Sequence, residues 1–206
     1  MLYPRGRILI FAKSPVPGTC KTRLGQDIGY PRAASVYRQL LSRNIEMAVK
    51  SNLAPVHLWC APDTQHEFFF HCRRQWDLRL RRQSEGDLGQ RMQRAFQRTL
   101  RRSDYALIIG GDCPVLEPDH LDDALTALHE GDDCVFSPTE DGGYALVGSR
   151  TSAPRLFHDI TWSSSQVMSQ TRRRLSRLGL AWTRLPKVWD VDERVDYLRA
   201  KRKHLL

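Results

Sequence analysis

The sequence predicts an α/β fold of three layers, in which helices cover both faces of a mostly parallel β-sheet. Two observations support this prediction. Apolar runs such as residues 8–12 and 106–109 show no polar alternation, which is typical of strands buried on both faces. Segments with helical spacing of apolar residues separate these runs, and such alternation along a chain indicates strands joined by crossover helices.

The first half of the chain is predicted to contain three strands and three helices. The run Ile-Leu-Ile-Phe-Ala predicts a buried strand over residues 7–13. Apolar residues at helical spacing predict a helix over 31–50, and Pro31 suits its first turn. The other elements of this half are strands at 55–61 and 78–82 and helices at 63–76 and 87–102. Asp87 is a candidate N-cap of the last of these helices.

The second half continues the same alternation. The predicted strands are 105–109, 133–137, 144–148 and 180–185, and the predicted helices are 118–130, 164–178 and 193–203. Paired glycines after Asp141 predict a turn before the strand at 144–148. Gly179 is a plausible C-terminal cap of the helix over 164–178.

Length and composition predict one domain spanning residues 1–206. The longest apolar runs fall far short of the roughly 20 residues that cross a bilayer. The N-terminus shows no pattern of a signal peptide, so a cytoplasmic location is expected. The five cysteines form no C-x-x-C pair, which indicates reduced structural thiols rather than a zinc ribbon.

The net charge of +9 has two interpretations. A basic surface can bind nucleic acid, or it can attract an anionic substrate such as a nucleotide. No aromatic-rich strand of the kind that stacks RNA bases is present, so nucleic acid is not the expected partner.

The loop after the first strand is rich in cations. Lys13, Lys21 and Arg23 can neutralise a phosphate, and Gly18 allows backbone N–H groups to approach it. The segment matches neither G-x-x-x-x-G-K-[ST] nor G-x-G-x-x-G, which excludes a P-loop and the dinucleotide fingerprint. The alternative is a basic surface loop stiffened by its prolines.

Asp112 follows a buried strand directly, in the segment Gly-Gly-Asp-Cys-Pro. Ligands of such sheets bind outside the carboxyl ends of the strands, and this rule selects both the segment 110–114 and the loop 14–23. Carboxylate oxygens are ligands of Mg²⁺, so Asp112 is a candidate metal ligand, with a turn or helix-cap role as the alternative. Asp190 and Asp192 form a second acidic segment, in which Asp192 could instead cap the last helix.

Together these segments resemble a known family. The matching motifs are F-x-K-x-P-x-P-G-x-x-K-T-R-L at 11–24, Q-x-x-G-D-L-G-x-R-M at 83–92, I-G-x-D-C-P-x-L at 109–116, P-x-x-D-G-G-Y-x-L-x-G at 138–148, W-S-[ST] at 162–164 and D-x-D at 190–192. The family consists of bacterial glycosyltransferases associated with radical-SAM and selenium-related domains, tied in part to arsenosugar synthesis. It lies in the nucleotide-diphospho-sugar transferase superfamily, has the GT-A fold, and is similar to the molybdenum-cofactor and phospholactate guanylyltransferases.

The resemblance implies a role for each matched position. Lys21, Arg23 and Asp112 would be catalytic, and Asp112 and Asp192 would hold Mg²⁺ or Mn²⁺. The nucleotide-binding residues would be Phe11, Ala12, Lys13, Pro17, Gly18, Lys21, Thr22, Arg23, Gln83, Gly86, Asp87, Gly89, Arg91, Gly111 and Asp112. The acceptor-binding residues would be Asp141, Gly142, Gly143, Tyr144, Trp162 and Ser163. Glu193 and Val195 depart from the family pattern, which leaves Asp190 and Asp192 as alternatives for the second metal ligand.

Three functions are therefore weighed. The first is metal-dependent glycosyl transfer from a nucleotide sugar to a small-molecule acceptor. The second is nucleotidyl transfer from an NTP to a phosphorylated small molecule, with release of pyrophosphate. The third, a basic nucleic-acid-binding module, is the least favoured, and neither the acceptor nor the oligomeric state follows from the residues.

Overall fold

A seven-stranded sheet runs through the protein, with helices on both of its faces. The computed structural model describes residues 1–152 and 155–206. Its strands are β1 (Ile8–Lys13), β2 (Val56–Ala61), β3 (Arg79–Arg82), β4 (Ala106–Gly110), β5 (Cys134–Pro138), β6 (Tyr144–Ser149) and β7 (Trp182–Arg184). Its helices are α1 (Thr22–Ile28), α2 (Tyr30–Lys50), α3 (Glu67–Trp76), α4 (Leu88–Thr99), α5 (Pro118–Glu130), α6 (Val167–Leu178) and α7 (Arg194–Arg202). The predicted three-layer arrangement is confirmed.

The strand order is β3-β2-β1-β4-β6-β5-β7, and only β6 pairs antiparallel to its neighbours. The carboxyl ends of β1, β2, β3, β4 and β5 therefore meet at one edge of the sheet, and β6 begins at that edge. The chain leaves β1 toward β2 and β3, and later returns to the other side of β1 as β4. This reversal makes the gap between the ends of β1 and β4 the topological switch point, where ligands of such sheets bind.

The central strands are apolar throughout because both of their faces are covered. Ile8 and Ile10 of β1 pack in a cluster with α2, α3 and α5, whereas Leu9 points to the opposite face and packs with α4 and α6. All five cysteines are buried in these layers and form no disulfide, in agreement with structural thiols. Within the described residues, no helix combines the length and the apolar content that a bilayer span requires.

Helix α1 was not predicted. Only seven residues long, it buries Leu24 and Gly25 and shows no apolar repeat that would reveal it. Leu24 packs in one cluster with Tyr197 of α7 and Leu40 of α2, so tertiary contacts, rather than local propensity, stabilise this short helix.

Several predicted helix ends are confirmed, and one is corrected. Asp87 caps α4, because its Oδ1 accepts from the backbone N–H of Gln90 at 2.8 Å. Gly179 ends α6 in the left-handed region, with φ 63°. The last helix is capped at Glu193 rather than at Asp192, since α7 begins at Arg194 and Asp196 accepts from the N–H of Glu193 at 2.9 Å. Asp192 therefore remains free of the capping role.

Candidate active site

Two acidic segments far apart in sequence converge at the switch point. The backbone N–H of Val191 donates to the carbonyl oxygen of Asp112 at 3.1 Å, and the thiol of Cys113 donates to the carbonyl oxygen of Trp189 at the same distance. These bonds align the segment 189–192 beside the end of β4. Asp112, Asp190 and Asp192 consequently lie around one point, which the sequence alone does not show.

The ammonium group of Lys21 occupies that point. Its Nζ lies 2.6 Å from Asp112 Oδ2 and 3.9 Å from Asp192 Oδ1, and the side chain is only 6% exposed. Burial lowers the pKa of Lys21, but the nearby carboxylates of Asp112, Asp190 and Asp192 outweigh burial and hold the pKa above its ordinary value. Lys21 therefore stays charged and neutralises part of the acidic cluster.

The backbone of Lys21 explains how this side chain reaches inward. Its φ of 47° lies in the left-handed region, which is unusual for a residue other than glycine. Lys21 precedes α1 directly, and Arg23 in the first turn of that helix donates to Asp192 Oδ2 at 2.8 Å. The predicted pair of cations thus contacts the predicted pair of metal-binding acids. The Arg23 side chain is 61% exposed and accessible to a ligand.

Close packing places Asp112 at the end of β4. A Cβ on Gly111 would lie 2.7 Å from the side chain of Leu41 in α2, so glycine allows the strand end to approach this helix. A Cβ on Gly110 would lie 2.9 Å from Asp112 Oδ1. On the neighbouring strand, the hydroxyl of Tyr37 accepts from the backbone N–H of Lys13 at 2.9 Å, which fixes the end of β1 against the same helix.

Asp190 has the most perturbed acidity of the group. Burial and, to a smaller extent, the negative charge of Asp112 raise its pKa from the ordinary 3.8 to about 7, although Lys21 opposes the change. Perturbed carboxyl groups of this kind cluster at functional sites.

The larger of two pockets at this edge has a volume of about 680 Å³. We call it the Gln83 pocket; its lining residues are Lys13, Ser14, Val16, Thr19, Ala61, Pro62, Arg82, Gln83, Ser84, Glu85, Gly86 and Arg91. Three of these are cations, and the single acid, Glu85, already lies 3.6 Å from Arg82. The pocket therefore favours an anionic ligand, and its volume falls in the range of about 300–1,000 Å³ that is typical of small-molecule sites.

Gln83 organises the wall of this pocket rather than projecting freely into it. Its amide nitrogen donates to the carbonyl oxygens of Trp59 at 2.7 Å and Ala12 at 3.2 Å, which ties the ends of β1 and β2 together. Its amide oxygen accepts from Arg91 at 3.3 Å. Gln83 therefore orients the Arg91 guanidinium at the pocket.

The smaller pocket has a volume of about 190 Å³, and Asp112 forms part of its lining. We call it the Tyr144 pocket; its lining residues are Leu88, Gly110, Asp112, Thr139, Asp141, Gly143, Tyr144, Ala145, Trp162, Ser163, Ser164, Val167 and Asp190. The rings of Tyr144 and Trp162 meet edge to face, with centroids 6.4 Å apart. Of the described residues that line this pocket, none is Lys, Arg or His.

The turn after β5 supports one side of the Tyr144 pocket. Asp141 Oδ1 accepts from the hydroxyl of Thr139 and from the backbone N–H of Gly143, the latter at 3.0 Å. Gly142 has φ 92°, and a Cβ there would lie 2.2 Å from the carbonyl oxygen of Ser165. Only glycine fits this position, which brings the turn against the segment that carries Ser163 and Ser164.

An ion pair joins this turn to the last helix. Arg199 of α7 donates to both carboxylate oxygens of Glu140, at 2.7 and 3.1 Å, and its guanidinium lies 4.3 Å from the centroid of the Trp189 ring. The same residue thus contacts the turn of the Tyr144 pocket and the segment leading to Asp190.

The predicted residues divide between the two pockets. Of the predicted nucleotide-binding residues, Lys13, Gln83, Gly86 and Arg91 line the Gln83 pocket, and all the predicted acceptor residues except Gly142 line the Tyr144 pocket. Asp112 lines the Tyr144 pocket, and the remaining predicted nucleotide-binding residues line neither pocket: Phe11, Ala12, Pro17, Gly18, Lys21, Thr22, Arg23, Asp87, Gly89 and Gly111.

Gly89 is a predicted nucleotide-binding residue that lies near the Tyr144 pocket instead of the Gln83 pocket. A Cβ there would lie 2.6 Å from the Trp162 ring, so this glycine gives Trp162 room beside the Tyr144 pocket. Its predicted nucleotide contact stays a prediction.

Sequence reasoning missed several lining residues. Arg82 ends β3, and Ser84 and Pro62 follow the carboxyl ends of β3 and β2, so the rule that selected the loop after β1 would also have selected them. No sequence signal indicated the contact between Lys21 and Asp112, which exists because two segments 91 positions apart meet.

The acidic groups fit a divalent cation. Across the part of the chain that the structure describes, no group of three or more His, Cys, Asp or Glu side chains is arranged to hold a metal. Mg²⁺, however, is commonly held by one or two carboxylates together with substrate phosphates and water. Oxygens of Asp112 and Asp192 lie 2.6 and 3.9 Å from the ammonium of Lys21, so both carboxylates face the same positive charge.

Solved structures share this fold. A proposed nucleotide-diphospho-sugar transferase from Desulfovibrio desulfuricans G20 is 29% identical, with a TM-score of 0.84 over 96% of this chain and 88% of that chain. The 4-diphosphocytidyl-2C-methyl-D-erythritol synthase from Anaerococcus prevotii is 9% identical, with a TM-score of 0.66 over 98% and 99% of the two chains. The glucosyl-3-phosphoglycerate synthase from Mycobacterium tuberculosis, solved with Mn²⁺ and UDP, is 14% identical, with a TM-score of 0.53 over 98% and 77%.

These likenesses confirm the predicted GT-A-like fold of the nucleotide-diphospho-sugar transferases. No curated protein matches the chain. A family signature matches residues 44–164, which is more than half of the sequence and includes Asp112, Tyr144 and Trp162. The chain therefore belongs to the family described as an uncharacterized protein conserved in bacteria (DUF2064).

Proposed function

We propose that this protein is a metal-dependent glycosyltransferase, which moves a sugar from a nucleotide-sugar donor to a small-molecule acceptor. The observation that carries the proposal is the arrangement at the switch point. The cation-lined pocket lies at the ends of β1, β2 and β3, and the acid-lined pocket lies at the ends of β4, β5 and β6, where Asp112 contacts Lys21. A donor with a diphosphate in its middle matches this distribution of charge.

The nucleotide part of the donor would occupy the Gln83 pocket, where Lys13 and Arg91 offset its negative charge. The diphosphate would lie toward Lys21 and Arg23, whose charges stabilise the negative charge that develops on the leaving group. The sugar would then lie near Asp112, at the mouth of the Tyr144 pocket.

Asp112 and Asp192 would hold Mg²⁺ or Mn²⁺, which would act as a Lewis acid on the diphosphate. The fold relatives support this assignment, since the glucosyl-3-phosphoglycerate synthase was solved with Mn²⁺ and UDP. Kinship with the glycosyltransferases associated with radical-SAM domains is part of the same proposal and depends on the sequence motifs.

A thermal-shift screen of nucleotide sugars and NTPs, each with and without Mn²⁺, tests the proposal. A ligand that binds the native state raises its melting temperature. We expect a metal-dependent shift with at least one nucleotide sugar, and Asp112→Asn should abolish its metal-dependent part. Asp123→Asn, an exposed substitution on α5, is the matched control and should respond like the parent. The absence of any shift in the parent would refute nucleotide binding.

Analysis of the released product separates glycosyl from nucleotidyl transfer. Glycosyl transfer releases an NDP, whereas nucleotidyl transfer from an NTP releases pyrophosphate. Release of pyrophosphate in the presence of an NTP and a phosphorylated acceptor would overturn the assignment to the glycosyltransferases while leaving nucleotide binding intact.

A further inference from the structure

The two pockets carry opposite charge. The Gln83 pocket contains Lys13, Arg82 and Arg91, whereas the Tyr144 pocket contains three acidic side chains and no cationic residue among its described lining. The protein as a whole has a net charge of +9, so an acid-lined pocket runs against the overall balance. The contrast indicates that the two pockets accept ligands of different charge.

The negative charge of the Tyr144 pocket is not fully neutralised by neighbouring residues. Lys21 contacts Asp112, but in the part of the chain that the structure describes no cation forms a salt bridge with Asp141. Asp141 keeps one oxygen in the turn, through its bonds from Thr139 and Gly143, and its second oxygen accepts no hydrogen bond from the described residues. A phosphate or carboxylate bound beside Asp141 would meet like charge.

The rest of the lining suits a hydroxylated molecule. The rings of Tyr144 and Trp162 present apolar surface, and Ser163 and Ser164 are polar residues of the same lining. Sites of this composition use the apolar area for contact and a few polar groups for orientation. At about 190 Å³ the Tyr144 pocket is much smaller than the Gln83 pocket, which favours a small acceptor over a second nucleotide.

We infer that the acceptor is a small hydroxylated compound without phosphate or carboxylate groups, bound in the Tyr144 pocket between the aromatic rings and Asp141. This inference rests on the proposed glycosyl transfer and adds the class of acceptor to it. In the reaction, the acceptor hydroxyl oxygen forms a bond to the anomeric carbon of the donor sugar. The bond from that carbon to the diphosphate oxygen breaks, the NDP leaves with the electron pair, and the hydroxyl proton is released to water.

The test compares matched pairs of acceptors that differ by one phosphate. The pairs are glycerol and glycerol 3-phosphate, ribose and ribose 5-phosphate, and glucose and glucose 6-phosphate. Each compound is added to the protein with Mn²⁺ and a nucleotide sugar that binds in the thermal-shift screen, and NDP release is measured. We expect kcat/KM for the neutral member to exceed that for its phosphorylated partner by about tenfold or more in at least one pair.

Asp141→Asn serves as the matched variant, because the amide oxygen can still accept the bonds from Thr139 and Gly143 while the charge is removed. The preference for the neutral member should shrink several-fold in this variant. Asp123→Asn, which lies outside both pockets, should leave the preference unchanged.

Each result has a definite meaning. The inference is overturned if the phosphorylated member is used as well as its neutral partner in every pair that is turned over, and also if no neutral compound accelerates turnover of a bound donor. Both results leave the proposed glycosyltransferase function standing. If no nucleotide sugar binds at all, the proposed function fails first, and the inference fails with it.

Discussion

The substitution Lys21→Met tests the central contact of the site. Methionine keeps the length of the side chain but removes the ammonium that lies 2.6 Å from Asp112. Both residues are equally strained at a φ of 47°, so the backbone contribution cancels. At an effective dielectric constant of about 20, two charges at this distance attract each other by about 6 kcal/mol, and the desolvation of Lys21 offsets part of this.

Removing one partner of a fully buried ion pair costs about 3–5 kcal/mol. Lys21 is buried, but the Asp112 side chain is 32% exposed and water can screen it, so we expect a loss of about 2–3 kcal/mol in the free energy of unfolding. For a domain of this size, 1 kcal/mol corresponds to about 2–4 °C in Tm. The Lys21→Met variant should therefore unfold about 5–10 °C below the parent.

Differential scanning calorimetry at neutral pH and without added metal measures this difference. Lys50→Met is the matched control, because Lys50 forms a surface pair with Glu46 in which the side chains are 73% and 47% exposed. Its loss should shift Tm by no more than about 2 °C. If Lys21→Met unfolds at the same temperature as Lys50→Met, the contact with Asp112 does not stabilise the fold and the reasoning fails.

The dependence on pH provides a second check. The folded pKa of Lys21 lies above its ordinary value of 10.5. The stability that its charge contributes is therefore fully present below about 10.5 and is lost as the pH rises through the folded pKa. The difference between parent and variant should persist throughout the neutral range. A difference that disappears between pH 7 and 9 would contradict the assignment.

Three further predictions concern the surroundings of the site. The folded pKa of Asp190 is about 7 against an ordinary 3.8, so its ionisation lowers the stability of the parent as the pH rises from about 4 to 7. Asp190→Asn should therefore be more stable than the parent by about 1–3 kcal/mol at pH 8 and should gain little at pH 4. Urea unfolding at both pH values measures this difference. Replacement of Arg199 by Lys should cost about 1 kcal/mol, because an ammonium cannot form the two-point contact with Glu140, and an equal stability of the two proteins in urea would contradict this. Gly142→Ala should lower the free energy of unfolding by about 2–4 kcal/mol, because the new Cβ would lie 2.2 Å from a backbone oxygen. At Gly179 a Cβ would meet nothing within 4 Å, so Gly179→Ala should lower it by only about 1 kcal/mol in the same thermal-unfolding assay.

The sequence by itself determined the layered fold and most of its elements. Local patterns suffice to predict strands such as β1, because an unbroken apolar run must be covered on both faces. They also suffice for helix ends, because the Asp87 side chain caps the residues next to it and Gly179 can adopt the left-handed backbone that ends a helix. The rule that ligands bind at the carboxyl ends of parallel strands likewise selected the loop 14–23, which contains Lys21, and the segment 110–114, which contains Asp112. These predictions succeeded because each depends on interactions within a few residues or on the topology as a whole.

Only the tertiary structure decided how the selected residues relate to one another. The contact of Lys21 with Asp112 and the approach of Asp190 depend on hydrogen bonds between segments distant in sequence, which no local pattern encodes. The same is true of α1, which exists because Leu24 packs on other helices. The opposite charge of the two pockets also depends on which side chains the fold brings together. Net charge and spacing along the chain do not show which residues will line the same pocket.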